Sequence, residues 1–172
     1  MWTMHPKLQP PSVALQPDDL DIHSTEKFLR ASSFIGNDAP LRRVWSEQEA
    51  HWQLRRHDAL VVSHSAGDRE GLLTAYLMPA ANPQRTKCLM VEDVQWGTLE
   101  GEERLTLVQR LLDRGIHAGA RMAFLPRLGY TDLEPFRAAR FRTSPRTLHC
   151  YLTIFNGDPV PEPVRSMYLD VL

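Results

Sequence analysis

Residues 87–115, KCLMVEDVQWGTLEGEERLTLVQRLLDRG, constrain the fold more than any other stretch. The first part is an apolar run of strand length. The second carries Leu105, Val108, Leu111, Leu112 and Ile116 at helical spacing, with Arg104, Arg110 and Arg114 on other faces. The pattern predicts a strand over about 87–96 passing directly into a helix over about 100–115, ended by Gly115 or Gly119. ARMAFLPRLGY supplies the next strand, so the segment demands a crossover. A helix that starts so close to a strand end offers backbone N–H groups to anions. Here that start carries Glu100, Glu102 and Glu103.

The remaining elements fall around this segment. ALVVSHSAGDREGLLTAYLMPA holds two apolar runs about SAGDREG, which is hairpin chemistry. Asp18 and Asp19 cap a helix through DLDIHSTEKFLRASSF, with Gly36 and Asn37 as its stop. APLRRVWSEQEAHWQLRRH reads as one helix or two meeting at Ser46. Ser46 and Glu49 form a capping box, and Trp45, Trp52 and Leu41 the apolar side. TDLEPFRAARF is a short helix capped by Thr131 or Asp132 with Pro135 near its first turn. SVALQP, TLHCYLTIF and SMYLDV are further strand candidates. The order predicts an α/β (α+β) chain: a mixed, mainly antiparallel sheet with helices on both faces. With 172 residues, the chain is expected to form a single domain over 12–172, after a loose segment 1–11 that carries Pro6, Pro10 and Pro11.

A net charge of -1 gives no bulk attraction to nucleic acid or to an anionic membrane, and neither is expected as a partner. No apolar run approaches a membrane span. Cys88 and Cys150 lie in strand-like runs, which predicts buried free thiols and a cytoplasmic protein. The seven histidines include no pair at i, i+4 with a carboxylate motif, so no metal site is expected.

EPFRAARFRTSPRTLHCYL resembles the closing segment of the GNAT superfamily, the N-acetyltransferase-like fold, with AARF where many members have a Leu-Gly-Phe turn. RRVWSEQEAHWQLRR is similar to the paired helices that cover the acceptor side in GNAT-like halves of larger acyltransferases. By element order the resemblance covers roughly residues 12–156. It implies transfer of an acyl group from acetyl-CoA or another acyl-CoA to an amine on a small molecule or protein. It places the coenzyme where two neighbouring strands splay, here those at 87–96 and 120–130. Under the resemblance Glu92 or Asp93 is the base, and strand alternation lets only one of them face the cleft. Val94, Gln95, Trp96, Gly97, Thr98 and Gly101 hold the coenzyme, the backbone N–H groups serving its pantetheine arm and oxyanion.

Two positions depart from the family pattern. The pyrophosphate loop, with a basic residue and small residues, is replaced by GTLEGEERL, whose three glutamates repel phosphate while suiting a helix start. The family's proton-donating tyrosine falls on Phe136, which leaves Tyr130 as the nearby phenol. The alternative function is a non-catalytic GNAT-like module that binds a protein or small ligand in the same cleft. The acceptor, the acyl group and the oligomeric state are not written in the sequence.

Overall fold

The computed structural model describes residues 2–4, 24–35, 39, 41–79, 86–145 and 167–168. In chain order the elements are β1 (Trp2–Met4), α1 (Ser24–Ser33), β2 (Leu41–Arg42), α2 (Glu47–Leu54), β3 (Ala59–Ala66), β4 (Arg69–Pro79), β5 (Lys87–Gln95), α3 (Gly101–His117), β6 (Ala120–Leu125), α4 (Glu134–Ala138), β7 (Phe141–Thr143) and β8 (Met167–Tyr168). SVALQP, TLHCYLTIF, the Asp18–Asp19 cap, the Gly36–Asn37 stop and Cys150 lie outside the described residues.

Six strands form one sheet in the order β3-β4-β5-β6-β1-β7, and β2 pairs β8 separately in parallel. Among the described residues β5 and β6 are the parallel pair of the large sheet, because α3 carries the chain back between them. The sheet is therefore mixed and mainly antiparallel. Trp2–Met4, expected to be loose, forms β1 between β6 and β7 and pairs antiparallel with both. Its three residues precede the prolines, so nothing in their backbone chemistry opposes a strand.

Helices cover both faces. On one, α3 and α4 close a core containing Leu89, Val91, Leu107, Leu111, Phe136 and Phe141. Leu107, which the helical stripe left out, is fully buried, while Leu105 and Ile116 are only half-buried. Gly115 is helical and buried because a Cβ there would lie 2.7 Å from Leu89 Cδ2, and Gly119, at φ +93, ends the helix. On the other face, α1 and α2 close a second core of Phe28, Trp45, Ala50, Val61 and Leu72. Trp45 meets Phe28 edge-on at 5.0 Å. Trp52, expected beside it, is 61% exposed. Trp45 precedes the helix, which begins at Glu47, and does not share a stripe with Trp52. Ser46 caps α2 with the expected reciprocal box: Glu49 N–H donates to Ser46 Oγ, and Ser46 N–H to Glu49 Oε2.

The hairpin β3–β4 runs in unbroken register from Ala59↔Tyr76 to Ala66↔Arg69 and turns at Gly67, φ +66. Among the described residues β3 is the outermost strand on that side of the sheet. Arg110 and Arg114 of α3 donate to the carbonyls of Ser63 and Val61.

At the end of α4, Arg140 adopts φ 69, the backbone conformation that a glycine takes without cost. This is the AARF position that stands for Leu-Gly-Phe. Arg140 is exposed, so its side chain adds no packing to offset the strain. Arg140→Gly should raise stability by about 1 kcal/mol, read as a shift in denaturation midpoint. A loss would mean that the side chain holds the turn.

Candidate functional site

β5 and β6 pair from Lys87↔Ala120 to Met90↔Phe124, and beyond Met90 no further register links them. The second half of β5 therefore stands away from β6. Val94 N–H, on this open side, donates to the Tyr130 hydroxyl at 3.1 Å. A cavity of about 200 Å³ lies here, lined among others by Phe34, Trp96, Gly97, Arg104, Tyr130 and Thr131. That is below the about 300–1,000 Å³ typical of sites for drug-sized ligands.

Burial raises the pKa of the Tyr130 phenol well above its ordinary value, with a further push from the charges of Asp93 and Glu92; the Val94 N–H opposes them. The phenol keeps its proton at neutral pH. Trp96 packs its ring on Phe136, 5.6 Å between centroids, and donates Nε1–H to the Asp132 carbonyl. Phe136 is buried between Trp96 and Phe141 and is apolar core.

On β5 the register jumps: Val91 faces Ala75 and Val94 faces Leu73, so Glu92 and Asp93 together oppose Thr74. This is a β-bulge, two residues against one, and it breaks strict alternation. Glu92 Oε2 accepts from Gln53 Nε2 of α2 at 3.3 Å. The Thr74 hydroxyl donates to Asp93 Oδ2 at 2.6 Å and accepts from Asp93 N–H at 3.1 Å. Thr74 is the register partner of Val61, a member of the α1–α2 core, so its side chain shares that face. Both carboxylates therefore turn toward the α1–α2 layer. The expectation that only one would do so is corrected by the bulge. Both are buried, at 3% and 2% exposure. Gln95 opposite Leu72 also faces this layer and stands apart from the β5–β6 gap.

The junction into α3 is tied to β4. Thr98 N–H donates to the Glu70 carbonyl, and Thr98 Oγ1 accepts from Glu70 N–H, each at 3.0 Å. Gly97 takes φ +55, and a Cβ on it would lie 2.2 Å from the Glu70 carbonyl oxygen. Thr98 and Gly97 thus hold the junction itself. Gly101, φ +43, has open space where a Cβ would stand.

The glutamates of the junction are not equivalent. Glu103 accepts from the Arg69 guanidinium through Nε and Nη2 and from Glu100 N–H at 3.1 Å. An internal carboxylate thus occupies an N–H donor at the helix start. Two arginines come to the site. Arg69, from the start of β4, neutralises Glu103. Arg104, one turn into α3, lines the cavity and pairs with Asp132 at 3.2 Å. Arg69 is separated from Glu103 by 34 residues in the chain, and Gln53 from Glu92 by 39, so no local pattern reveals them.

Arg69 and the Glu100 N–H hold the Glu103 carboxyl below its ordinary 4.5. A depressed folded value means that the contact stabilises the fold above the ordinary value. That contribution is lost as pH falls through the depressed one. The Tm gap between wild type and Glu103→Gln should stay level above about pH 5 and close as the acid limb is descended. A gap that widens in acid would contradict the pairing.

Among the described residues no group of three or more His, Cys, Asp and Glu side chains is placed to hold a metal ion, and no helix is long and apolar enough to cross a membrane. Cys88 is buried as a free thiol, and burial raises its pKa.

No known family profile matches the sequence, and no curated protein matches it significantly. Solved structures do match. An acetyltransferase from Trypanosoma brucei superposes with a TM-score of 0.57 at 16% identity, over 78% of this chain and 96% of that one. A ribosomal-protein-alanine N-acetyltransferase from Brucella melitensis biovar Abortus 2308 gives 0.55 at 13% identity, over 77% and 94%. A protein from Thermus thermophilus gives 0.55 at 15% identity, over 77% and 95%. The chain has a GNAT-like fold. At such identities the likeness defines the fold and leaves the activity to the site.

Proposed function

We propose that the chain is an acyltransferase domain that moves an acyl group from acetyl-CoA or another acyl-CoA to an amine. The observation that carries this reading is the joint position of the gap and the bulge. β5 leaves β6 after Met90, and two residues later two buried carboxylates turn to the α1–α2 face. A thioester arm in the gap would lie on one side of β5 and an amine on the other.

The coenzyme, when bound, supplies an activated acyl carbonyl. Val94 N–H is the backbone donor for its oxygen, in the place the Tyr130 hydroxyl now takes. Glu92 accepts the amine proton, since its longer side chain reaches α2, whereas Asp93 is engaged with Thr74 in fixing the bulge. Tyr130, protonated and beside Val94, is the proton donor on the gap side. The residues fit the arm better than the phosphates. Glu103 holds the Glu100 N–H where pyrophosphate would lie, so no phosphate contact is assigned at the start of α3. Arg104 is the cation that lines the cavity.

The test is release of free thiol from acetyl-CoA with a panel of primary amines. Slow, amine-dependent release is expected. None at millimolar coenzyme would favour the second reading, a non-catalytic module that keeps the cleft for a protein or small ligand. Tyr130 on Val94 and Glu103 on Glu100 are the contacts that favour it.

A further inference from the structure

The cavity beside β5 has walls of two kinds. Ala31, Phe34 and Ile35, at the end of α1, and Trp96 supply apolar surface, while Arg104 and Thr131 supply polar groups. Phe34 is 54% exposed, which leaves apolar surface that a ligand here would cover. The polar groups are fixed and not fully used. Arg104 donates Nε–H to the Leu99 carbonyl and Nη1–H to Asp132, which holds the guanidinium in place. Among the described residues nothing accepts from its Nη2. Thr131 Oγ1 is buried and has no hydrogen-bond partner among the described residues. A buried hydroxyl left alone is unfavourable. Asp132, the acid on this wall, has both oxygens engaged, Oδ2 by Arg104 and Oδ1 by the Glu134 N–H. The groups left over are donors, and what they lack is an acceptor.

Charge and size narrow that acceptor. Guanidinium and hydroxyl donors bond a carboxylate more strongly than a neutral oxygen. Arg104 already serves Asp132, whose side chain is 42% exposed and so screened by solvent. That balance leaves room for one further negative charge and disfavours a phosphate dianion. An apolar cavity of about 150 Å³ holds benzene, so about 200 Å³ holds a ring together with a carboxylate. Coenzyme A needs the gap to open further, and a ligand of this size does not.

We infer that this cavity binds a small monocarboxylate with a ring-sized apolar body, the carboxylate received by Arg104 and Thr131 and the body covered by Phe34 and Trp96. The site does not depend on the acyl-transfer reading. It overlaps the gap in which that reading seats the thioester arm, so the carboxylate and acyl-CoA exclude each other.

The probe is sodium benzoate at neutral pH, titrated into the ¹⁵N-labelled full chain, with benzyl alcohol and acetate as comparisons. The Trp96 indole N–H signal, assigned by its loss in Trp96→Phe, should move saturably with benzoate at a Kd of about a millimolar. It should move little with the alcohol, which lacks the charge, or with acetate, which lacks the ring. Arg104→Gln and Thr131→Val should each weaken benzoate at least about tenfold, and Thr131→Ser, which keeps the hydroxyl, should retain it. A Trp96 signal that benzoate leaves fixed in the wild type overturns the inference, whether or not any variant folds. So does benzyl alcohol that binds as tightly as benzoate, or equal binding by a folded Arg104→Gln or Thr131→Val. Benzoate binding in a protein that never releases thiol from acetyl-CoA would sink the acyl-transfer reading and leave this one standing. Amine-dependent thiol release with the Trp96 signal unmoved by benzoate would do the reverse.

Discussion

Gly97→Ala should destabilise the protein by about 3–5 kcal/mol, which combines a forced left-handed residue with overpacking against fixed backbone. Position 97 has φ +55, which L side chains rarely adopt. The added methyl would lie 2.2 Å from the Glu70 carbonyl oxygen. Glu70 cannot simply yield, because that oxygen accepts from Thr98 N–H, its own N–H donates to Thr98, and its carboxylate pairs with Arg30 of α1. Chemical denaturation of both proteins measures the loss. The expected signature is a lower midpoint with an unchanged slope. A loss below about 1 kcal/mol would mean that the junction relaxes easily and is not locked to β4.

Glu92→Gln should lower acyl transfer by about 10²–10⁴-fold, the usual contribution of a positioned base. The change keeps volume and one acceptor oxygen for the Gln53 Nε2–H, so the fold should persist. Asp93→Asn should behave differently. The bond from the Thr74 hydroxyl would change from charge-assisted to neutral and so weaken, while the acceptance by Thr74 from the backbone N–H is untouched. The variant should lose stability before it loses rate. Thiol release from acetyl-CoA, measured beside a denaturant melt for each variant, separates the two roles. Equal rate losses with equal stability losses would return both carboxylates to a structural part.

What the sequence made legible was local. The β3–β4 hairpin, the Ser46 capping box and the passage from β5 to α3 each depend on residues a few positions apart, and each stands as expected. The bulge did not show, because Glu92 and Asp93 become a pair on one face only when the register with β4 slips between Leu73 and Ala75. Charge at the junction was legible only in part, for the same reason. Read alone, GTLEGEERL is acidic, but the fold brings Arg69 to Glu103 from across a strand. Trp52 misled in the opposite sense, since its aromatic side chain suggests core while α2 turns it to solvent. The gap between β5 and β6 was expected from the resemblance, yet its present filling by Tyr130 depends on the loop before α4, which no spacing rule places.

The most direct measurement is the backbone amide signal of Val94 in the ¹⁵N-labelled protein as acetyl-CoA is added. If the gap beside β5 is the coenzyme cleft, the Val94 signal moves saturably. The coenzyme must then displace the Tyr130 hydroxyl from that N–H, with weak affinity while Glu103 remains and tighter affinity in Glu103→Gly. A Val94 signal that stays fixed in both proteins at millimolar coenzyme, while other signals report binding elsewhere or none at all, would contradict the cleft.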